Sequence, residues 1–179
     1  MAQSPSSTGH PADVPVGMCG RVSVPEDPRD LPGEFCFRRA IEVRFADTDA
    51  MGHVNNAAYL TYCEIARAAY YEAVTGQPLP LGAHGASEGM ILAEARIAFR
   101  APAFYGEVLT IEARVGHVGR TSFTQEFRLT APESRYGRAR LVAVSESTQV
   151  MYDYVREMPI PVSPELAAAM ERFEGRPLR

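Results

Sequence analysis

Beyond an N-terminal stretch without sustained periodicity, the chain becomes regular at Arg39. Ile41, Val43 and Phe45 alternate with Glu42 and Arg44, the period-two pattern of a half-buried strand. From Asn56 to Val74 the period changes. Tyr59, Cys63, Ala66, Tyr70 and Ala73 recur at spacings of three and four, which marks one face of a helix. Asn55 or Asn56 can cap its start, because an asparagine oxygen accepts from a first-turn amide. Gly76 and Pro78 supply the stop. That face is rich in alanine, so sheet backbone is expected to approach it closely. Leu79 to Gly89 reads as a loop.

Four alternating runs follow. Met90–Phe99 carries Ile91, Ala93, Ala95, Ile97 and Phe99 on one face, and Glu107–Val118 carries Leu109, Ile111, Ala113 and Val115. Thr121–Thr130 carries Phe123, Phe127 and Leu129, and Arg140–Tyr154 ends in Val150 and Tyr152. The connections through Pro102 and Gly106, through Gly119-Arg120 and through Pro132–Gly137 are short, which favours antiparallel neighbours. Ser163-Pro164-Glu165 opens a last helix, Leu166–Phe173, with serine as cap and proline as first residue. A strand, a long helix and four strands make an α+β architecture, an antiparallel five-stranded sheet with one long helix against a face. A lone helix leaves part of such a sheet uncovered, so a homodimer or homotetramer is expected.

Composition narrows the classes. The chain has 179 residues, 46% of them hydrophobic, which suits one domain with a sizeable core. Residues 1–35, rich in Pro, Ser, Gly and Asp, read as a disordered or extended arm. The domain is expected over 36–158, with a short helix and tail over 159–179. A net charge of -4 argues against nucleic-acid and membrane-surface binding, and no apolar run is long enough to span a membrane. All 18 basic residues are arginine, which excludes Schiff-base chemistry and a lysine-type phosphate loop. Cys19, Cys36 and Cys63 form neither a zinc spacing nor a disulfide framework. With no secretory signal at the start, a cytoplasmic setting is inferred.

The chemistry is concentrated in Phe45–Asn56, between the first strand and the long helix. Two carboxylates, one imidazole and two carboxamides fall there. Amides at the start of the helix have no intrahelical partner, and with the dipole behind them they suit an oxyanion or a polarised carbonyl. Asp49 leads into them and could attack a carbonyl or activate water. His53 could orient that carboxylate or assist the water. Asp47 could instead pair with Arg44 or Arg67. A calcium loop is disfavoured, since Met51 and Ala58 occupy positions where ligands are required. An Asp49/His53 metal pair lacks a third ligand, so no metal is expected.

Asp47-Thr48-Asp49-Ala50-Met51-Gly52-His53-Val54-Asn55-Asn56-Ala57-Ala58-Tyr59 resembles the signature of the hot-dog-fold acyl-CoA thioesterases, nearest to the 4-hydroxybenzoyl-CoA thioesterase-like group. The resemblance continues through Arg100-Ala101-Pro102, Gly106-Glu107-Val108-Leu109 and Gly119-Arg120-Thr121-Ser122-Phe123. It covers roughly residues 37–155. It implies a hot-dog fold and hydrolysis of an acyl-CoA to a free acid and coenzyme A. Coenzyme A enters as part of the substrate, with no separate cofactor. By resemblance, Asp49 is the nucleophile or general base, and the Asn56 amide polarises the thioester carbonyl. His53 and Asn55 shape the pocket or assist. Tyr59, Tyr62 and Cys63 line or back the acyl pocket. Arg120, with Ser122 beside it, belongs to the hairpin where relatives bind coenzyme A phosphates. Aromatic-substrate members carry bulkier apolar residues at the Asn55 and Asn56 positions. An acyl-carrier-protein thioesterase and a non-catalytic acyl-CoA-binding protein are the alternatives.

Overall fold

The computed structural model describes residues 30–80 and 87–179. Among these, six strands and two helices follow in chain order: β1 (Phe37–Glu42), α1 (Asn56–Thr75), β2 (Glu88–Phe99), β3 (Val108–Val118), β4 (Ser122–Ala131), β5 (Arg140–Asp153), β6 (Met158–Pro159) and α2 (Pro164–Glu174). The strands form one antiparallel sheet in the order β1-β3-β4-β5-β2, with the two-residue β6 on the end of β5. The long helix α1 lies on the sheet's inner face. This is the hot-dog arrangement that the motif implied.

The helix has the ends its sequence encodes. Asn55 is the cap, its Oδ1 accepting from the Ala57 amide at 2.9 Å, and Gly76 takes the left-handed conformation at φ 69°. Tyr59, Tyr62, Cys63, Ala66 and Tyr70 turn inward. They meet Leu109, Ile111, Ala113 and Val115 of β3 and Phe123, Phe127 and Leu129 of β4. Each large side chain removed from water here contributes about 1.5–3 kcal/mol. Helix α2 is capped by Ser163, whose Oγ accepts from the Leu166 amide. It closes the far end of the core, where Glu174 takes hydrogen bonds from the Tyr70 hydroxyl and the Val115 amide.

Three expectations need correction. The first strand stops at Glu42 rather than running through Phe45. Val43 remains fully buried, but the chain then turns and leaves the Phe45 ring 77% exposed. The cause is local: Arg44 folds back on the Asp47 carboxylate and winds Phe45–Asp47 into one 3-10 turn. Secondly, part of the presumed arm is packed. Asp30 pairs with Arg100 at 2.6 Å, the Pro32 carbonyl accepts from Arg114, and Phe35 is buried between the guanidiniums of Arg114 and Arg128, each 4.4 Å from its ring centre. The rest of the arm, 1–29, lies outside the described residues, as does 81–86 of the expected loop. Thirdly, β2 does not present a simple buried face. A bulge between Leu92 and Glu94 shifts its register, and Leu92–Arg96 is exposed throughout.

Candidate active site

The polar segment is a miniature hairpin. Thr48 and Val54 form an isolated antiparallel bridge. Inside it the Asp49 amide donates to His53 O at 3.1 Å, and the Gly52 amide closes the turn onto Asp49 O at 3.0 Å. Gly52 has φ 81°, the left-handed residue that a three-residue hairpin loop requires. Asp49 and His53 therefore oppose each other across the hairpin, where side chains are neighbours. One Asp49 oxygen, Oδ1, is held by the Met51 amide at 2.9 Å. The other has no hydrogen-bond partner among the described residues.

Behind the bridge, the Asn55 amide donates to Asp47 O at 2.8 Å and the Val54 amide to Ala103 O at 2.8 Å. These bonds fix how the hairpin meets the helix. In the first turn, the Ala57 amide is taken by the Asn55 side chain and the Ala58 amide by the Asn55 carbonyl. The Asn56 amide is the donor left over, pointing out of the helix start as its geometry dictates. The site so far is one carboxylate, one imidazole and one unspent backbone donor, all set by one short loop.

The two aspartates separate clearly. Asp47 is buried and receives the Arg44 amide, the Arg44 guanidinium and the Tyr62 hydroxyl, all between 2.7 and 3.1 Å. The Arg44 hydrogen bonds hold its carboxyl below the usual carboxylate range, against the opposing effect of burial. Tyr62 is therefore a support for the loop, its hydroxyl pushed well above the ordinary phenol value by burial and by Asp47. Tyr59 packs edge-on against Tyr62 and Phe99. Burial pushes the Cys63 thiol up to about 12, so it stays protonated and serves as a wall rather than a nucleophile. All three are buried residues in the first two turns of α1, the helix that begins at Asn56.

Arg120 and Ser122 are elsewhere. They form the β3–β4 turn, closed by the Gly119 amide on Ser122 O at 2.8 Å. Because Glu42 pairs with Val108 at the start of β3, the hairpin bearing Asp49 sits at one end of the sheet. The Arg120 turn sits at the other end of β3, on the order of 30 Å away at the usual rise per residue. One chain does not bring the two together. Sequence reasoning also passed over a buried polar row on the sheet beneath α1, Gln125, Ser145, Ser147 and Gln149, which Arg67 of α1 meets. Arg67 donates to Gln149 Oε1 at 3.0 Å, and Gln149 to Ser147 Oγ at 3.0 Å. Among the described residues, no group of three or more His, Cys, Asp or Glu side chains could hold a metal.

A family model described as the thioesterase-like superfamily matches residues 43–170. The chain belongs to that superfamily, and thioester hydrolysis is its class of reaction. A thioesterase-superfamily structure from Jannaschia sp. CCS1 is 25% identical, with a TM-score of 0.67, over 82% of this chain and 87% of that one. A thioesterase from Thermus thermophilus, complexed with coenzyme A and zinc, is 28% identical with a TM-score of 0.65, over 79% of this chain and 96% of that one. A 1,4-dihydroxy-2-naphthoyl-CoA thioesterase from Synechocystis shares the fold at 22% identity and a TM-score of 0.65, over 75% of this chain and 94% of that one. No curated protein matches the chain by sequence.

Proposed function

We propose that the protein hydrolyses an acyl-CoA thioester, with Asp49 as the nucleophile or general base and the Asn56 amide as the carbonyl-polarising donor. The observation that carries this reading is the placing, by one short hairpin, of an Asp49 oxygen and a first-turn amide that are both without a hydrogen-bond partner among the described residues. A thioester carbonyl resting on the Asn56 amide would meet Asp49, or a water that Asp49 deprotonates. The oxyanion then forms where the helix dipole and an amide stabilise it, an effect commonly worth about 3–4 kcal/mol. Collapse of the tetrahedral species expels the coenzyme A thiolate and leaves the free acid. An acyl-aspartyl intermediate, if formed, is cleared by water. The similarity to a Thermus thioesterase that binds coenzyme A supports coenzyme A as the carrier.

The working unit is read as a homodimer. Among the described residues, strand β2 is an unpaired sheet edge with Leu92 and Phe99 exposed, and such edges pair readily. Across β5, Ser122 lies level with Ile91, near the start of β2, while Phe99 at its other end touches Tyr59. Two-fold antiparallel pairing of β2 with its copy would carry the partner's Arg120 turn towards this chain's Asp49. The cation would then meet coenzyme A phosphates, which arginine suits. The deciding experiment is thiol release from short, long and aromatic acyl-CoAs by the protein and by Asp49→Asn. Loss of turnover in the variant, with an unchanged Tm, is expected. Full activity in the variant would remove Asp49 from the chemistry.

A further inference from the structure

The inner face of the sheet is not uniformly apolar. Strand β3 presents Leu109, Ile111, Ala113 and Val115, and all are fully buried. One strand further, β4 inserts Gln125 between Phe123 and Phe127. On β5 the inward positions become Ser145, Ser147 and Gln149, each buried. Polarity thus rises towards β2, the side on which α1 no longer covers the sheet. Register places Ile97 beside Ser145 and Ala95 beside Ser147, and Ala95 is exposed. The polar row therefore lies buried beneath α1, alongside the groove between that helix and the open inner face of β2.

Part of that row is hydrogen-bonded internally and part is not. Gln149 and Ser147 are satisfied as described above. Among the described residues, both polar atoms of Gln125, only 1% exposed, have no hydrogen-bond partner, and neither has Arg67 Nε. Ser145 Oγ has no hydrogen bond of ordinary geometry, with only the weakly bonding Cys63 thiol beside it. Leaving such a group unpaired costs about 1–3 kcal/mol, so three of them in one patch oppose folding. They make sense where a ligand completes them. Cys63, beside Ser145, is two helical turns below Asn56, about 10 Å along the axis. That is the direction an acyl chain must take from a carbonyl held on the Asn56 amide.

Resting on the thioesterase reading, we propose that this groove selects an oxygenated acyl group, whose hydroxyl or keto oxygen is held by Gln125 and Ser145 with Arg67 at its outer end. A neutral oxygen fits better than a carboxylate. The Arg67 guanidinium already faces Glu64 at 3.2 Å, and Gln125 and Ser145 are uncharged groups that both donate and accept. Gln125 and Ser145 are thus specificity-determining residues, remote from the bond that breaks.

The test compares kcat/KM for a hydroxyacyl-CoA series with deoxy counterparts of equal length, in the native protein, Gln125→Leu and Ser145→Ala. In parallel, binding of the matching non-hydrolysable thioether analogues is measured by calorimetry. The native protein should favour the hydroxylated member by about tenfold or more, at one position of the hydroxyl along the chain. Gln125→Leu should erase most of that ratio by losing rate on the hydroxylated substrate alone, with Tm unchanged or raised. Should Gln125→Leu not fold, Ser145→Ala carries the same expectation. Hydrolysis with no preference for any oxygenated acyl group, or a preference untouched by both variants, overturns the proposal and leaves the thioesterase reading standing. Absence of hydrolysis, with a Gln125-dependent preference for the hydroxylated analogue, overturns the thioesterase reading and supports the groove.

Discussion

At the scale of residues, the motif divides its labour between side chains and backbone. Asp47, Tyr62 and Arg44 hold the hairpin against the helix; Asp49 and His53 face each other across it. The amide of Asn56 is the least visible part, because no ordinary side-chain substitution removes it. Proline does. Asn55 has φ -62° and ψ 139°, the extended conformation that a residue before proline prefers. The first helical position is also where proline is best tolerated. Asn56→Pro should therefore keep Tm within a degree or two while lowering kcat by roughly 10²–10³, the usual consequence of losing one oxyanion donor. Asn56→Ala keeps the amide and should keep most of the rate. If the proline variant turns over as fast as the alanine variant, the carbonyl is polarised by something else.

At the scale of elements, the contact between α1, β3 and α2 carries a buried carboxyl group. The Glu174 carboxyl accepts from the Tyr70 hydroxyl and the Val115 amide, with Arg176 and Arg114 nearby. Burial nonetheless raises its pKa above the ordinary carboxylate value. The folded state therefore holds this proton more tightly than the unfolded chain. Stability from this group is fully present below the unfolded pKa and declines as pH rises through the raised folded value. Glu174→Gln keeps an acceptor for both donors and cannot titrate. The Tm of the variant should gain on the native protein from about pH 4 upward, then run parallel above the folded value. Parallel curves throughout would show that Glu174 does not couple protonation to folding. The elements themselves were largely legible in the sequence. The three-and-four spacing from Tyr59 to Tyr70, Asn55 and Gly76 as ends, and Ser163-Pro164 at α2 all report local preferences, which a linear pattern contains. The end of β1 was not, because the alternation of Ile41, Val43 and Phe45 continues past the point where Arg44 bends the chain onto Asp47. Nor was the polar row on β5. Val144 on the other face is buried too, and a register irregularity near Val142 brings that residue into the core, so the period-two signal is blurred where Ser145, Ser147 and Gln149 turn inward. Buried polarity of this kind is visible only once the neighbours on β4 and α1 are known.

At the scale of the molecule, the sheet keeps apart two things that the motif joined. Asp49 and Arg120 both belong to the expected site, yet β3 runs nearly its whole length between the ends that carry them. Arg120 is exposed, with no hydrogen bond or ion pair from its side chain among the described residues, so it is available to an anion brought by another copy. The proposed two-fold dimer across the β2 edges would make each site from the Asp49 of one chain and the Arg120 of its partner. That composition has a consequence that neither a monomeric site nor a self-contained one shares. Asp49→Asn should be inactive and Arg120→Ala should have a strongly raised KM for acyl-CoA with kcat less affected. When the two variants are unfolded together and refolded as a mixture, about half of the dimers are mixed. Each mixed dimer has one site with both defects and one with neither, so about a quarter of native kcat/KM should return. The rescued sites should show the native KM, which distinguishes them from residual Arg120→Ala activity. Sites complete within one chain would give no rescue, since every chain in the mixture is defective. Size-exclusion chromatography with light scattering on Leu92→Glu, which places a charge on the exposed edge strand, should show monomers with the same loss as Arg120→Ala. A monomeric Leu92→Glu variant with native KM would break the link between the edge and the site.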